Sequence, residues 1–172
     1  MAFRKFKEYS LLKKINKELK SIPESRTPNS KKIHSVAILT SNDIFNEVDI
    51  VAQVKNNFDT VRNVHIYSFR NYKKTDEKTY KHFTEKDIDG RGRIKDTSFE
   101  SFLESPFDLL IGYFDTNNLY LEYAAIKSQA TFKVGFANVN DKIYDVLVSE
   151  NPQNSQSFME VSKKYLHLLD KI

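Results

Sequence analysis

Apolar and polar positions follow two different periods along the chain, and the two periods predict helices and strands in alternation. Between residues 3 and 21, apolar side chains recur at three- and four-residue steps, which is typical of an amphipathic helix. Five later runs are short, apolar and rich in branched and aromatic side chains, as strands are. These runs are residues 33–40, 64–69, 107–114, 132–137 and 144–149.

This order of elements predicts an α/β fold. A strand, a helix and a second strand in succession form a βαβ unit, which pairs its strands in parallel. We therefore expect a three-layer sandwich of Rossmann-like type, with a mainly parallel sheet of five strands. The expected strand order is the flavodoxin-like 2-1-3-4-5, with its reversal between the first and third strands.

The N-terminal helix is predicted to carry one apolar stripe and to stand apart from the sheet. Pro23 and Pro28 lie in a polar stretch, so residues 1–30 are expected to be a basic amphipathic helix with a linker, and residues 31–172 the α/β domain. Residues 1–22 should then be removable without unfolding the domain. The expected stripe consists of Phe3, Phe6, Tyr9, Leu12, Ile15 and Leu19.

Composition narrows the function classes. The chain has 172 residues, of which 40% are hydrophobic and 29% charged, as expected of a folded domain. The absence of cysteine excludes disulfides, zinc-thiolate and iron–sulfur sites and a cysteine nucleophile. No apolar run approaches the roughly 20 residues of a membrane span, and the charged start is unlike a signal peptide. These features favour a cytoplasmic protein.

Positive charge is concentrated at the N-terminus. Residues 1–32 hold ten Lys or Arg and three Glu, a net of +7, although the whole chain carries only +4. A second basic segment, residues 70–96, interrupts the alternation of strands and helices as a long charged excursion. It contains Gly90 and Gly92, half of the chain's four glycines. Basic segments of this kind point to nucleic acid, an anionic membrane surface or an acidic partner.

The turns after the strands contain the candidate ligand-binding residues, because ligands of parallel sheets bind at the carboxyl ends of the strands. The four candidates are Asn42, Asp115, Asn117 and Asn138. Asp115 is the only obvious acid or base among them. The same residue types also cap helices, so a purely structural role is the competing interpretation.

Other catalytic signals are weak. The first strand-to-helix turn lacks the glycines of a phosphate-binding loop. The four histidines, at positions 34, 65, 82 and 167, have no metal-ligand spacing. We therefore predict no metal and no cofactor, and the sequence favours a non-enzymatic protein. A small-ligand-binding or enzymatic Rossmann-like domain stays open as an alternative.

The leading hypothesis is an RNA-binding or ribosome-associated protein. Basic side chains would meet phosphates, and neighbouring aromatic rings offer stacking surfaces for unpaired bases. The candidate contacts are Lys13, Lys14, Lys17, Arg91 and Arg93. Two alternatives use the same helix, namely docking to an anionic membrane surface or to an acidic protein, and the helix could also join two copies of the chain.

Three segments carry a resemblance to a known family. They are FDLLIGYF at 107–114, NNLYLEYAA at 117–125 and FKVGF at 132–136. Together they resemble a family of small bacterial α/β proteins that is grouped only as a domain of unknown function. The resemblance extends over nearly the whole chain, as far as the closing YLHLLDKI. It implies a bacterial cytoplasmic protein and no particular activity.

A second, local resemblance covers about 30 residues around FDLLIG and KVGF. This arrangement is similar to the N-terminal Rossmann-like half of heptosyltransferase-type glycosyltransferases. In those enzymes a further α/β domain binds most of the sugar nucleotide, and this chain ends where that domain would begin. The resemblance therefore does not favour glycosyl transfer by this chain alone.

Overall fold

The structure is a computed structural model, which describes residues 2–22, 31–75 and 81–172, with the backbone alone for residues 2 and 3. The predicted linker around Pro23 and Pro28 lies outside the described residues. The helices are α1 (Ala2–Ser21), α2 (Asn42–Glu47), α3 (Ile50–Asn57), α4 (Thr97–Glu104), α5 (Leu119–Lys127) and α6 (Ser155–Leu168). The strands are β1 (Ser35–Ser41), β2 (Asn63–Phe69), β3 (His82–Phe83), β4 (Leu109–Tyr113), β5 (Phe132–Phe136) and β6 (Val146–Val148). A short 3-10 helix, Asp141–Ile143, precedes β6.

The strands form one sheet in the order β3-β2-β1-β4-β5-β6, and each neighbouring pair is parallel. The five predicted strands are all present, and the order 2-1-3-4-5 is confirmed. The prediction of five strands is wrong, because the sheet has a sixth, β3, which comes from the charged excursion. The backbone N–H of Ser68 donates to Lys81 O at 2.9 Å and that of Arg70 to Phe83 O at 3.0 Å. A two-residue strand is too short to produce a period-two pattern in the sequence.

The apolar core is divided between the two faces of the sheet. Alternate residues of a strand point to opposite faces, so Ala37 and Leu39 of β1 belong to one cluster while Val36 and Ile38 belong to the other. Side chains of α1, α4 and α5 complete the first cluster, and those of α2, α3 and α6 complete the second. Each cluster thus contains side chains of three helices as well as of the strands.

Helix α1 packs on the domain, mainly against α5. Its buried side chains are Leu11, Ile15 and Leu19, which recur at four-residue steps and are part of the first cluster. The predicted stripe is therefore wrong in part. Ile15 and Leu19 are buried as expected, Leu11 replaces Leu12, and the side chain of Phe3 lies outside the described residues.

The exposed members of the predicted stripe are Phe6, Tyr9 and Leu12, which are 72%, 56% and 46% exposed. The reason is geometric. Each three-residue step falls about 60° short of a full turn. Counted back from the buried Ile15, the residues Leu12, Tyr9 and Phe6 therefore lie progressively farther around the helix from its buried side.

A buried carboxylate fixes the start of β1. Asp108 lies directly before β4 and is only 6% exposed. It accepts hydrogen bonds from the backbone N–H of His34 and Ser35 at 3.0 and 2.9 Å and from Ser35 Oγ at 2.8 Å, and it pairs with Lys31 Nζ at 2.6 Å. Burial alone would raise the pKa of Asp108, but the charge and the hydrogen bonds outweigh it and lower the pKa to about 2.

This depressed pKa makes a contribution to stability that depends on pH. The contribution is complete above the usual aspartate range and is lost as pH falls toward the folded-state pKa of about 2. We expect Asp108→Asn to lower the free energy of unfolding by about 2 kcal/mol at pH 7, since charge-assisted hydrogen bonds are lost. The difference from the unmodified protein should shrink between pH 4 and pH 2. Urea unfolding at several pH values measures it.

Asp170→Asn is the matched control for this experiment. The Asp170 carboxylate also pairs with a lysine, Lys32 Nζ at 2.8 Å, but its side chain is 81% exposed to solvent. Exposed ion pairs contribute little to stability. We therefore expect the free energy of unfolding of Asp170→Asn to stay nearly equal to that of the unmodified protein. A loss at Asp108 that is equal at pH 3 and pH 7 would contradict the assignment.

Candidate functional site

The two basic segments that the sequence singles out meet in space. Lys14 Nζ on α1 donates a hydrogen bond to Arg91 O at 2.7 Å, and Lys7 Nζ donates to Glu85 O. A side chain at Gly90 would lie in ordinary contact with Lys7, 3.6 Å from its Cγ. The outer side of α1 and residues 89–93 therefore form one continuous surface, which we call the joined basic surface.

The turn at residues 89–93 is built around one carboxylate. Asp89 accepts hydrogen bonds from the backbone N–H of Arg91 and Arg93, at 2.8 and 3.0 Å, and from Arg93 Nε at 2.8 Å. Burial acts to raise the pKa of Asp89, but these hydrogen bonds and the Arg93 charge bring it down to about 2. Ile88 and Ile94 close the base of the turn as an antiparallel bridge. The arrangement leaves Arg91 exposed to solvent.

Gly92 is required where the turn approaches the helices. Its φ of 76° lies in the left-handed region, which favours glycine. A Cβ atom there would lie 2.2 Å from the Tyr123 hydroxyl oxygen and 2.8 Å from Lys14 Nζ. The Tyr123 hydroxyl donates to Gly92 O at 2.8 Å. One residue from α5 and one from α1 thus hold the turn at a fixed position.

The five predicted nucleic-acid contacts are not equivalent. Lys13, Lys17 and Arg91 are exposed. Lys14 is half-buried, and its ammonium is engaged by Arg91 O and lies 5.9 Å from the centre of the Tyr123 ring. Arg93 is exposed, but its guanidinium pairs with Asp89. Four of the five are therefore exposed, but Arg93, like the half-buried Lys14, is engaged in positioning the turn.

Sequence reasoning missed part of this surface. The outer face of α1 comprises Lys5, Phe6, Tyr9, Leu12, Lys13, Asn16, Lys17 and Lys20, which are all exposed. None of the exposed side chains described in α1 is acidic, because both of its glutamates, Glu8 and Glu18, are half-buried. The four-residue steps of Leu11, Ile15 and Leu19 are the signal that could have located this face, since they fix the buried side.

The polar turns at the carboxyl ends of the strands form a different region. Asn42 is the first residue of α2, Asp115 is half-buried after β4, and Asn117 and Asn138 are exposed. Among the described residues, no hydrogen bond joins any two of these four side chains. A ligand site built from them stays a prediction.

Two neighbouring residues cap the helices at this edge. The side chain of Ser41 accepts from the backbone N–H of Ile44 at 3.4 Å, and Asn118 Oδ1 accepts from those of Tyr120 and Leu121 at 3.0 and 3.1 Å. Capping is therefore done by residues directly beside Asn42 and Asn117. The amide side chains of Asn42 and Asn117 are not needed for it.

Two further properties of the described chain are relevant. Within residues 2–22, 31–75 and 81–172, no group of three or more His, Asp or Glu side chains could hold a metal ion. No helix in those same ranges combines the length and the apolar character that crossing a membrane requires.

Comparison with protein families gives one match. The sequence pattern of one protein family matches residues 7–169 of this chain. The chain belongs to a family of unknown function, DUF6913. The match begins within α1 and ends just beyond α6, so the DUF6913 pattern includes most of α1 as well as the sheet. The predicted resemblance to a domain of unknown function is confirmed.

Neither the curated proteins nor the solved structures contain a match to the chain. The local resemblance to heptosyltransferase-type glycosyltransferases therefore stays a prediction.

Proposed function

We propose that this DUF6913 protein is a non-enzymatic protein that binds RNA. The ribosome is the candidate RNA-containing partner. One observation carries the proposal. The hydrogen bond from Lys14 to Arg91 O joins two basic segments that are 77 residues apart in sequence. Each of the two charge clusters alone would be ordinary for a protein surface. The contact combines them into the joined basic surface.

The electrostatics of this area suit a phosphate backbone. Lys13 and Lys17 on α1 and Arg91 on the adjoining turn are exposed. The turn is held by Gly92, Asp89 and Tyr123, so its arginine is positioned before a partner arrives. Cations that neutralise phosphates release condensed counterions, and this release makes binding strong at low salt and weak at high salt.

The test is co-sedimentation with ribosomes and with purified RNA at low and high salt. We expect the protein to sediment with RNA at low salt and to remain in the supernatant at high salt. The variant Lys13→Glu, Lys17→Glu, Arg91→Glu should lose at least about a hundredfold in affinity, because three phosphate contacts become repulsive.

The matched control is Lys55→Glu, Arg62→Glu, Lys164→Glu. It changes the same number of charges of the same types, at exposed positions on or near α3, β2 and α6. It should keep most of the binding. If the unmodified protein stays in the supernatant at low salt, or if both variants lose binding equally, the proposal fails.

A membrane surface is the second candidate, and a specific observation favours it. Phe6, Tyr9 and Leu12 are exposed among the lysines of α1, as in helices that lie in a membrane interface. Flotation with vesicles containing anionic phospholipid, with Phe6→Ala, Leu12→Ala as the comparison, tests this candidate. Absence of flotation removes it. An acidic protein partner or a second copy of the chain would use the same face.

We also propose the finer descriptions of fold and location. The distribution of α1, α4 and α5 on one apolar cluster and α2, α3 and α6 on the other supports a three-layer sandwich of Rossmann-like type. An RNA-binding role accords with a bacterial cytoplasmic protein. A small-ligand or enzymatic role at Asn42, Asp115, Asn117 and Asn138 ranks last, because no contact within the described chain assembles them.

A further inference from the structure

Two aromatic rings lie next to each other on the outer face of α1. Phe6 is 72% exposed and Tyr9 is 56% exposed. They are three residues apart, which separates them by about 4.5 Å along the helix axis and makes them neighbours on its surface. Large aromatic side chains are usually buried, so an exposed pair within a basic face calls for a partner with its own flat apolar surfaces.

A lysine is associated with one of these rings. Lys13 Nζ lies 4.6 Å from the centre of the Tyr9 ring, within the range of a cation–π contact. Inserting this ring into hydrocarbon would draw the ammonium out of water, which is costly. Beside a nucleotide, by contrast, the ammonium would lie next to a phosphate. The contact thus favours a nucleic acid over a lipid surface as the partner of this face.

We propose that Phe6 and Tyr9 form a stacking site for unpaired bases, so that the ligand of the joined basic surface is single-stranded RNA. This inference rests on the function proposed above. Lys13, Lys17 and Arg91 would hold the phosphates while the two rings receive consecutive bases. In a duplex both faces of each base are occupied by neighbouring bases, so the rings can act only on unpaired nucleotides.

The expected effects follow from the known strength of base–aromatic stacking. Removing one stacking ring lowers the affinity for single strands by about tenfold. Stacking itself tolerates any base, so the loss should not depend on the RNA sequence. Phosphate contacts are common to single strands and duplexes. Loss of a ring should therefore affect single strands only, whereas loss of a charge should affect both.

The experiment is fluorescence anisotropy with a labelled single-stranded RNA of about 12 nucleotides and a duplex of the same length. The full-length protein carries Phe6→Leu, Tyr9→Ala or Tyr9→Phe. Phe6→Leu keeps the apolar character but removes the ring, and Tyr9→Phe keeps the ring. Leu168→Ala is the control, since Leu168 is 73% exposed on α6, remote from α1 in sequence.

We expect Phe6→Leu and Tyr9→Ala each to weaken single-strand binding about tenfold while leaving duplex binding unchanged. Tyr9→Phe and Leu168→Ala should bind as the unmodified protein does. Equal affinity for both RNAs, unchanged by the ring variants, would overturn the stacking site and leave the basic surface intact. Binding to anionic vesicles but to neither RNA would overturn the stacking site and the RNA function together.

Discussion

Deletion of residues 1–22 is expected to unfold the α/β domain rather than release it intact. The buried side of α1 contributes Leu11, Ile15 and Leu19 to the apolar cluster that also contains the inner side of α5. Without α1, that cluster would be open to water along its length. The sequence predicted the opposite, because the polar stretch with Pro23 and Pro28 after the helix indicates a linker to a separate domain.

The size of the expected loss in stability is large enough to unfold the domain. Truncating a buried leucine or isoleucine to alanine costs about 2–5 kcal/mol, whereas a whole domain is stable by about 5–15 kcal/mol. Removing three such side chains at once approaches the total. The Lys14 and Lys7 hydrogen bonds to the excursion would be lost as well.

Two double variants of the same helix make the test sharp. Leu11→Ala, Ile15→Ala removes buried side chains, and Phe6→Ala, Leu12→Ala removes exposed ones. In thermal melts the first should lose at least about 4 kcal/mol of stability and the second almost none. A truncated protein that melts at the temperature of the full chain would show that α1 is not part of the core.

Substitution of Gly112 is expected to produce the second large loss. A Cβ atom at this position of β4 would lie 2.2 Å from the Tyr144 hydroxyl oxygen and 2.7 Å from two ring carbons. The same ring lies 2.7 Å from the Cβ position of Gly135 on β5. Tyr144 is buried. Its ring therefore lacks room to move aside, and Gly112→Ala should cost about 3 kcal/mol through overpacking.

Gly90→Ala is the matched control. A Cβ atom there would be 3.6 Å from the nearest atom, Lys7 Cγ, which is an ordinary contact. Its stability in urea should stay within about 0.5 kcal/mol of the unmodified protein. Equal stability of the two alanine variants would contradict the packing of Tyr144 over β4 and β5.

The Tyr144 hydroxyl adds a further expectation to this pair of variants. Within the described chain it is buried and has no hydrogen-bond partner, and burial raises its pKa far above the ordinary range. Tyr144→Phe removes an unsatisfied polar group, so it should be neutral or stabilising. The same urea titration measures it.

Strand order could be predicted from the sequence because it depends on local pattern and on general rules of connection. Each of the five predicted runs is apolar enough to identify a strand, and alternation with helices implies parallel pairing. The helix predicted after β1 is in fact two, α2 and α3, because Asp49 caps a new helix by accepting from the Ala52 N–H at 3.0 Å. The apolar residues Ile44, Val48, Val51, Val54 and Phe58 recur at helical steps through both helices, so the sequence pattern does not show the break.

The site could be predicted only as a list of charges. The contact that joins the basic segments links residues 77 apart in sequence, and no local pattern reports a contact of that range. Lys14 is indistinguishable from Lys13 in the sequence, yet it is half-buried and engaged by the turn. Only packing on α5 decides which of the two neighbouring lysines is available to a partner.

We propose that α1 and the turn at residues 89–93 act as one RNA-binding surface. The most direct test is the affinity for single-stranded RNA as a function of salt, for the full protein and for Lys17→Glu, Arg91→Glu, which places one change in each segment. We predict that the logarithm of the binding constant falls linearly with the logarithm of salt concentration, and that the double variant loses about 1.4 from the slope, roughly 0.7 for each phosphate contact. A slope that is the same in both proteins, or an affinity that does not respond to salt, would contradict the claim.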